Sequence, residues 1–562
     1  MKQDKGRGVV IMDRAKYLEK SLAFLGGRQF NKIDNDPTDT FQTKVQTTLR
    51  SMKNSMSEIT YKKLYPSASQ PGLYFGLGKV HKLEEGNRNV EDLPLRPVIS
   101  NIGTATYQIS KYLANLLAPL AKSIYTIEST KDFLGKLKQK SIHPDYHMVS
   151  FDVVSLFTNV PLDYTIDLIL KQVYEEKLIE TKFKKMQLRE LLNMCTKEMH
   201  FAFNEEMYKQ IAMGSPLGPV LANIFMVHLE THLIPQMGDK VASWGRYVDD
   251  TFTFVKANCI EDVIRELNGF HRDIQFTYEV EKEKAITFLD VLIRRKTDGF
   301  FETTVFRKKS ATNLYVNWKA FAPRGWKIGT LKGIIRRAFL ICSEEEGLAR
   351  ELGHIKHVFV DINGYPKRIV NTNIKQIKRK LEIEAQNVEV PNGNTLVSDG
   401  DVSFPYMCLP YKGREGENIL KRFQNKIKNF LPNSVKPRIS FKGKKLGSHF
   451  RIKDKVKEEH QSDLIYKYHD QFDLGNQELK YVGETKVRYG TRTYQHLNTD
   501  KKSAVFKYIK RHKLDSTGEN FEIIEKDFDK PIDRKLAEAL YIKELKPVLN
   551  EQVQSFKLHL FN

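Results

Sequence analysis

Cysteine is scarce in this chain, which has four among its 562 residues. The four stand far apart, at positions 195, 259, 342 and 408, and none belongs to a CxxC pair. This spacing argues against a disulfide framework and against a zinc site built from neighbouring residues. It predicts a reducing, intracellular environment for the protein.

Long apolar runs and an excess of acid are also missing. The most apolar stretch in the N-terminal third, residues 112–121, is shorter than the roughly 18 residues that a membrane span needs, and the chain opens with charged residues rather than a signal core. Asp and Glu number 69 against 91 Lys and Arg, which gives a net charge of +22 and a pI near 9.4. Unpaired cations in such number predict a polyanionic partner, and nucleic acid is the first candidate.

The length predicts roughly three to four domains. Two stretches have the composition of joints: residues 387–401, rich in Asn, Gly, Val and Asp, and residues 432–460, dense in Lys and interrupted by Gly and Pro. Between residues 436 and 457, nine Lys or Arg stand against one acid, Asp454. This segment is either a solvated linker or a nucleic-acid tether.

Two separated patterns place carboxylates at strand ends. Residues 147–157 are β-branched and aromatic around a lone acid, Asp152, which is typical of a buried strand that ends at a functional site. Residues 241–255 predict a strand-turn-strand hairpin with Asp249 and Asp250 at its tip. Adjacent carboxylates repel unless a cation lies between them, so the three acids together would hold two Mg²⁺ ions. Taken alone, the Asp-Asp pair is more often an ordinary polar turn.

A glycine turn lies between these two patterns. The sequence predicts that Gly214 precedes a packed helix, with Ser215 as its cap and Pro216 in its first turn. Gly214 would permit close approach of a template base or an incoming nucleotide, although a purely structural helix start explains it as well. Upstream, Lys79 and Arg96 stand among apolar strands, where they either grip a triphosphate or remain surface charges.

A second group of polar residues follows the basic segment. Residues 464–468 and 479–485 predict two short strands that form a hairpin. Arg492 and His496, four residues apart, would share a helix face, and Glu538 lies among apolar neighbours on a later helix. One carboxylate holding Mg²⁺, an arginine facing the phosphate and a tyrosine or histidine that helps to deprotonate water would suffice for phosphodiester hydrolysis. Singly, each of these residues is better explained as structural, since tyrosine pairs commonly pack across hairpins.

Seven motifs follow one another in order: residues 4–8 (DKGRG), 76–82 (GLGKVHK), 96–100 (RPVIS), 151–161 (FDVVSLFTNVP), 213–216 (MGSP), 247–250 (YVDD) and 288–290 (FLD). The series resembles the reverse transcriptase of Penelope-like retroelements. This resemblance implies a right-hand polymerase of fingers, palm and thumb, with the three aspartates as metal ligands. It also implies that Phe157 is the steric gate that rejects a 2′-hydroxyl, and that Lys79 and Arg96 contact the triphosphate.

Later segments also resemble that family and would complete the palm and form the thumb. They are residues 305–308, 334–338 and 363–366. By their own chemistry, Arg336 and Arg337 would lay cations along the minor groove of an RNA/DNA hybrid. An exposed helix face explains the two arginines equally well.

A further set consists of Tyr466, Tyr481, Gly483, Arg492, His496, Glu538 and Asn550. As a set these residues resemble a GIY-YIG endonuclease, which the commonest Penelope-like elements carry after their reverse transcriptase. The resemblance implies paired tyrosines in the site, Arg492 facing the phosphate, Glu538 as metal ligand and Asn550 as a structural or site residue. Two features depart from the pattern: Leu464 occupies the place of the first glycine, and residues 469–480 lack the CxxC pair of many such elements. Zinc is therefore not expected, and which tyrosine acts as base stays open.

Together the resemblances predict an α+β multidomain chain. Residues 1–310 would form the fingers and palm of a right-hand polymerase, 311–400 the thumb, 401–455 a basic linker region and 456–562 a small α/β GIY-YIG nuclease domain. The predicted function is RNA-directed DNA polymerase coupled to a DNA-nicking endonuclease, for retrotransposition by target-primed reverse transcription in the nucleus. The predicted partners are template RNA, RNA/DNA hybrid, target DNA and dNTPs, with no membrane.

The predicted cofactors are two Mg²⁺ in the polymerase site and one in the nuclease site, with Mn²⁺ as an alternative ion. Oligomeric state and truncation of the N-terminus stay open. Two other functions compete. One is a domesticated or inactive nucleic-acid-binding protein that retains the fold, against which the intact acids weigh. The other is an RNA-templated RNA polymerase, and Phe157 is the residue that discriminates it.

Overall fold

A computed structural model of the chain describes residues 1–5, 9–27, 30–80, 83, 92–138, 140–210, 214–308, 311–386, 406–427, 438–443, 456–469, 479–526, 528 and 531–550. The helices are α1 Arg14–Leu25, α2 Thr38–Ser51, α3 Glu58–Leu64, α4 Tyr107–Leu117, α5 Thr130–Lys138, α6 Leu156–Asn159, α7 Leu162–Tyr174, α8 Lys185–Thr196, α9 Gly218–Met237, α10 Ile260–Gly269, α11 Arg324–Ile341, α12 Glu345–Lys356, α13 Lys367–Gln386, α14 Arg414–Ile427, α15 Tyr489–Tyr494, α16 Ala504–His512 and α17 Pro531–Leu545. The strands are β1 Asn31–Ile33, β2 Gly72–Gly78, β3 Leu95–Ser100, β4 Tyr146–Val153, β5 Met199–Phe203, β6 Glu206–Gln210, β7 Val241–Tyr247, β8 Asp250–Lys256, β9 Phe276–Val280, β10 Ala285–Phe288, β11 Val291–Arg295, β12 Phe301–Val305, β13 Tyr406–Pro410, β14 Arg438–Lys442, β15 Leu464–His469, β16 Leu479–Thr485 and β17 Phe521–Glu525.

A four-stranded antiparallel sheet in the order β7-β8-β4-β9 lies within the region predicted as fingers and palm. It is called the palm sheet below. Side chains alternate along β4, so Val149, Phe151 and Val153 enter one core while Asp152 stays exposed on the other face. The predicted strand around Asp152 and the predicted hairpin over residues 241–255 are confirmed.

Helix α9 lies between two cores, which explains why it is apolar on all sides. Its residue Ile224 packs into a helical cluster with α2, α4, α7 and α8, and the next residue, Phe225, packs against the palm sheet. The predicted start of this helix is wrong by two residues, since Leu217 and not Ser215 stands at the N-cap position. Ser215 does not cap it; the Ser215 hydroxyl accepts a hydrogen bond from the Leu217 amide at 3.3 Å in the preceding turn.

Two further sheets flank the palm. A five-stranded sheet in the order β1-β6-β5-β2-β3 also lies in the region predicted as fingers and palm. A three-stranded sheet in the order β10-β11-β12 shares a core with α5 and with palm residues such as Phe252 and Phe254. Helices α11, α12 and α13 then form their own cluster around Phe359, in the segment predicted as the thumb.

The segment predicted as a basic linker contains regular structure among its described residues. Strands β13 and β14 pair in parallel, with α14 between them in the chain. This unit contacts the preceding helical cluster: the rings of Phe321 and Tyr411 lie 4.9 Å apart, and the Arg324 amide donates to Glu417 at 2.8 Å. The other residues of the two predicted joints lie largely outside the described ranges.

The C-terminal region is built on an antiparallel three-stranded sheet in the order β16-β15-β17, so the predicted hairpin is confirmed. Helix α16 packs on one face and α17 on the other. Arg488 links this region to the N-terminal part of the chain, since its Nε donates to the Ser69 carbonyl at 3.1 Å and its guanidinium pairs with Asp39. Among the described helices, none combines the length and apolar character that spanning a lipid bilayer requires.

Candidate active sites

Sheet register brings the palm aspartates together. Asp152 on β4 lies directly opposite Asp250 on β8. In the chain, 97 positions separate Asp152 from Asp249, the residue just before Asp250. Tyr247 pairs with Asp250 across the hairpin, so Val248 and Asp249 form its two-residue turn. Neighbouring strands lie about 4.8 Å apart. The three predicted carboxylates therefore meet at one end of the sheet.

The electrostatics of these acids reflect their proximity. Partial burial raises the pKa of Asp152, and the charges of Asp249 and Glu279 raise it further. Partial burial also raises the pKa of Asp250, and the charges of Asp249 and Asp152 add to the effect. Like charges held this close oppose simultaneous ionisation, so the site favours a cation.

Two lysines face the same carboxylates. Lys5 and Lys308 both act to lower the pKa of Asp250, and Lys5 also acts on Asp152. The two lysines contact each other, and partial burial together with the Lys308 charge lowers the pKa of Lys5. Both residues lie within segments that carry the family resemblance. Neither was predicted to face the aspartates, because the contact joins opposite ends of the polymerase region.

The donor chemistry of the palm site fits Mg²⁺, which prefers carboxylate oxygens. Across the described part of the chain, no three His, Cys, Asp or Glu side chains are arranged as a ready-made metal-binding group. The fit therefore rests on the three aspartates, on the raised pKa of Asp152 and Asp250 beside Asp249 and on the exposure of the carboxylates at the end of the sheet.

Gly214 has a structural requirement of its own. Its φ is +76°, and a Cβ at this position would lie 1.7 Å from the carbonyl oxygen of Ile99 on β3. Only glycine fits that approach without moving the backbone. The close neighbour of Gly214 is thus β3, and contact with a nucleotide stays a prediction.

The other predicted substrate contacts lie on or next to three different elements, α6, β3 and β2. Phe157, on the short helix α6 after β4, is 46% exposed, so its ring is accessible to a ligand. Arg96 forms an ion pair with Asp4 at 2.8 Å, and the Asp4 side chain is 7% exposed. Lys79 follows β2, and its amide donates to the Pro94 carbonyl at 2.8 Å. Their roles toward a triphosphate stay predictions.

The predicted thumb cations are paired within the protein. Arg337 lies 3.3 Å from Asp290, which belongs to the FLD motif, and Arg336 lies 3.6 Å from Glu384 on α13. Both arginines remain partly exposed. Exposed ion pairs of this kind are weak. Both arginine side chains can therefore leave their partners and contact the backbone of a duplex.

The C-terminal residues converge on the hydroxyl of Tyr466. This tyrosine is fully buried on the central strand β15, where its Oη lies 2.6 Å from His496 Nε2 and accepts a hydrogen bond from Arg492 Nε at 3.2 Å. Asp500 holds Arg492 through an ion pair of 3.1 Å, and Ser503 contacts the other ring nitrogen of His496. The predicted shared face of Arg492 and His496 is confirmed.

Burial sets the protonation of this cluster. It holds the pKa of Tyr466 well above its usual range, with the neighbouring Tyr481 adding to the effect. Burial and the nearby Arg492 charge lower the pKa of His496 to about 3. Tyr466 and His496 are therefore neutral near pH 7.

Glu538 and Gly483 shape the other side of the same cluster. Glu538 Oε1 accepts a hydrogen bond from the Glu484 amide at 3.0 Å, and burial together with the Glu484 charge raises the pKa of Glu538 to about 6. A Cβ at Gly483 would lie 2.6 Å from the Tyr481 ring and 2.7 Å from Tyr466 Oη, so this glycine lets the two tyrosines approach. An acidic oxygen donor at this point fits one Mg²⁺.

Asn550 has a structural contact. Its side chain pairs with the backbone of Val482 on β16 through two hydrogen bonds, of 2.9 Å from the Val482 amide and 2.7 Å to the Val482 carbonyl. Asn550 thereby extends the sheet edge behind the tyrosines. Of the two roles left open by the sequence, this contact provides a structural one.

Residues 94–315 match the reverse transcriptase (RNA-dependent DNA polymerase) family model, and residues 314–375 match the animal helix-turn-helix domain. The first segment, which contains the three aspartates, is therefore similar to a reverse transcriptase domain. The segment that matches the helix-turn-helix domain contains α11, α12 and most of the region predicted as the thumb. No helix-turn-helix was predicted there from the sequence. No curated protein matches the chain.

Solved polymerases are similar to this chain at low identity. Telomerase from Candida albicans, in complex with a telomeric RNA fragment, is 11% identical with a TM-score of 0.38 and covers 61% of each chain. The RNA-dependent RNA polymerase of bacteriophage phi12 is 13% identical with a TM-score of 0.35, over 58% of this chain and 59% of that one. The chain thus spans about three fifths of the length of these two proteins.

Proposed function

We propose that this protein is an RNA-directed DNA polymerase that copies RNA into DNA with the palm aspartates. The observation that carries the proposal is the register of Asp152 against Asp250, with Asp249 in the adjoining turn, inside the segment that is similar to a reverse transcriptase domain. The charge of Asp249 raises the pKa of both Asp152 and Asp250. They would hold two Mg²⁺ ions, or Mn²⁺ in their place. When bound, such ions activate the attacking 3′-hydroxyl and stabilise the leaving pyrophosphate.

The remaining palm residues bind and orient the substrates. Lys5 and Lys308 face the aspartates and are suited to the phosphates of a dNTP. Lys79 and Arg96 are further candidates for the triphosphate. The exposed ring of Phe157 would lie under the deoxyribose and exclude a 2′-hydroxyl. The basic surface of the chain would hold template RNA and the RNA/DNA hybrid.

We further propose that the C-terminal region is a GIY-YIG endonuclease that nicks DNA. Its support is the convergence of Tyr466, Arg492 and His496, with Glu538 on the adjacent helix. Glu538 would hold one Mg²⁺, and Arg492 would stabilise charge on the phosphate. The neutral His496 accepts or donates a hydrogen bond at Tyr466 Oη without carrying a charge of its own.

Together the two activities amount to target-primed reverse transcription by a Penelope-like retroelement protein in the nucleus. The test incubates the full chain with RNA, supercoiled DNA, dNTPs and Mg²⁺ and measures nicking, primer extension and cDNA joined to a nicked end. Asp249→Ala should abolish extension and leave nicking. Glu538→Gln should abolish nicking and leave extension on a pre-nicked primer.

Two control variants distinguish the loss of a catalytic carboxylate from the general loss of one negative charge. Asp298→Ala removes an acid from another hairpin turn, and Glu544→Gln removes an exposed acid from the same helix as Glu538. Both should retain both activities. Extension that survives in Asp249→Ala would end the polymerase proposal, and nicking that survives in Glu538→Gln would end the nuclease proposal.

A further inference from the structure

A buried arginine fastens the aspartate-bearing hairpin to the helix behind it. Arg246 precedes Tyr247 at the end of β7, and its side chain is 1% exposed. It pairs with the fully buried Glu230 of α9, through Nε to Oε1 at 2.5 Å and Nη2 to Oε2 at 3.2 Å. Trp244 donates its indole N–H to the same carboxylate at 3.0 Å.

The same guanidinium also reaches the turn. Arg246 Nη1 donates to the Val248 carbonyl at 2.8 Å and to Asn223 Oδ1 at 2.7 Å. Val248 has a φ of +61°, a left-handed conformation that β-branched residues rarely adopt. Such a conformation persists only where its surroundings determine it. The residue immediately before Asp249 is therefore held by a contact to α9.

We infer that Arg246 is a positioning residue for polymerisation: through the Val248 carbonyl it sets the direction in which Asp249 presents its carboxylate. The inference rests on the polymerase function proposed above. A buried ion pair alone is weak evidence of a stabilising role, because removing two charges from water is costly. Arg246 also donates to the carbonyl of Val248, the strained residue just before Asp249. This hydrogen bond gives Arg246 a role in orienting the turn that is separate from stability.

Arginine suits this position better than lysine. Its planar group carries five N–H donors in a fixed arrangement, and here they serve Glu230, Asn223 and Val248 together. A lysine ammonium is a single point of charge. It can neutralise Glu230 but cannot reach all three acceptors at once. Lysine therefore separates the role of the charge from the role of the geometry.

The test compares Arg246→Lys and Arg246→Met with Arg295→Met in the full chain. Arg295 is a matched control, since it is a largely buried arginine that pairs with Glu281 and donates to the Pro144 carbonyl. Primer extension would be measured for kcat, for KM toward dNTP and for the Mg²⁺ concentration that gives half the maximal rate. Hydrogen exchange of β4 and β8 peptides would report folding.

We expect Arg246→Lys to fold and to lose roughly 10- to 100-fold in kcat, since small displacements of reacting groups cost that much. The Mg²⁺ requirement should rise and KM for dNTP should stay nearly unchanged. Arg295→Met should keep the parental kcat and Mg²⁺ requirement. Asn223→Ala, which removes one acceptor and leaves the ion pair, should shift kcat and Mg²⁺ requirement in the same direction by less.

Two outcomes would overturn the inference. One is an Arg246→Lys variant with parental kcat and Mg²⁺ requirement. The other is an equal fall in Arg246→Met and Arg295→Met, which would reduce the effect to loss of a buried pair. If Arg246→Met does not fold, the lysine and Asn223 variants decide. A parent protein that extends no primer refutes the polymerase function instead.

Discussion

The palm site and the C-terminal site are assembled in opposite ways. In the palm, charged groups from distant parts of the chain meet through strand register and stay exposed at the end of a sheet. In the C-terminal site, Tyr466 and His496 lie 30 positions apart in the chain and are buried in a hydrogen-bonded cluster with the partly exposed Arg492. The first site is thus defined by repulsion between like charges, the second by burial of a hydrogen-bonded cluster that holds one cation, Arg492.

This difference determines what each site tolerates. Carboxylates that repel one another need a cation or nearby lysines, so the palm depends on electrostatics and on the exact course of its turn. The buried cluster depends on satisfied hydrogen bonds, because an unpaired buried polar group is costly. A substitution of the same kind should therefore have different consequences at the two sites.

The largest effect is expected from Tyr466→Phe. It removes the hydroxyl that meets both His496 and Arg492, so nicking should fall by about 10²- to 10⁴-fold, the usual contribution of a proton-transfer group. Primer extension should be unchanged. Tyr468→Phe is the control, since it removes a hydroxyl from the same strand that contacts Ser516 at 2.9 Å. Equal loss of nicking in both variants would assign Tyr466 to packing alone.

The next effect concerns the two site glycines. In Gly214→Ala the new Cβ meets the Ile99 carbonyl at 1.7 Å in a left-handed backbone, which should cost about 1–3 kcal/mol for overpacking and about 1–2 kcal/mol for the backbone. In Gly483→Ala the Cβ meets Tyr481 and Tyr466 at 2.6 and 2.7 Å, which should cost about 1–3 kcal/mol.

Each glycine variant is the control for the other. Hydrogen exchange should speed up in β3 for Gly214→Ala and in β15 for Gly483→Ala, and each variant should lose only the activity of its own site. Loss of both activities in either variant would contradict the separation of the two regions.

Local patterns made several of these features predictable. The strand of Asp152, the hairpin of Asp249 and the hairpin of Tyr466 each depend on residue types and turns within one short segment, and all three are confirmed. The shared face of Arg492 and His496 followed from helical spacing. Such features need no knowledge of the rest of the chain.

Features that depend on distant contacts were not predictable. Ile99 explains why residue 214 must be glycine, yet the two lie on different elements. The contact between Lys5 and Lys308 joins the first and last parts of the polymerase region. Spacing along a sequence carries no information on contacts between such distant residues. The start of α9 was missed for a local reason instead, because Ser215 bonds within a turn and does not cap the helix.

A smaller effect is expected at Phe157, whose ring is exposed on α6, the helix that follows the Asp152 strand. Phe157→Ala should admit ribonucleotides, so the preference for dNTPs over NTPs should fall by about tenfold or more, equivalent to roughly 1.4 kcal/mol of discrimination. Single-nucleotide incorporation with each substrate measures the ratio. Leu162→Ala, a partly buried residue at the start of α7, serves as the control. A parent that already prefers NTPs would favour an RNA-templated RNA polymerase.

The smallest effect is a pH dependence confined to the C-terminal site. The pKa of His496 is lowered from 6.5 to about 3 by burial and by the Arg492 charge, so between these values the unfolded chain binds a proton that the folded chain does not. The contribution of His496 to the stability of this region should therefore be constant above about pH 6.5 and fall as the pH decreases below it, by about 1 kcal/mol at pH 5.5. The raised pKa of Glu538 acts in the opposite direction below about pH 6 and is common to the parent and the histidine variants. His496→Gln should lack this decrease, while the exposed His512→Gln should keep it. Hydrogen exchange of β15, compared between variants at each pH, measures the difference in stability. Curves of stability against pH that stay parallel for the parent and His496→Gln would show that His496 is not the titrating group.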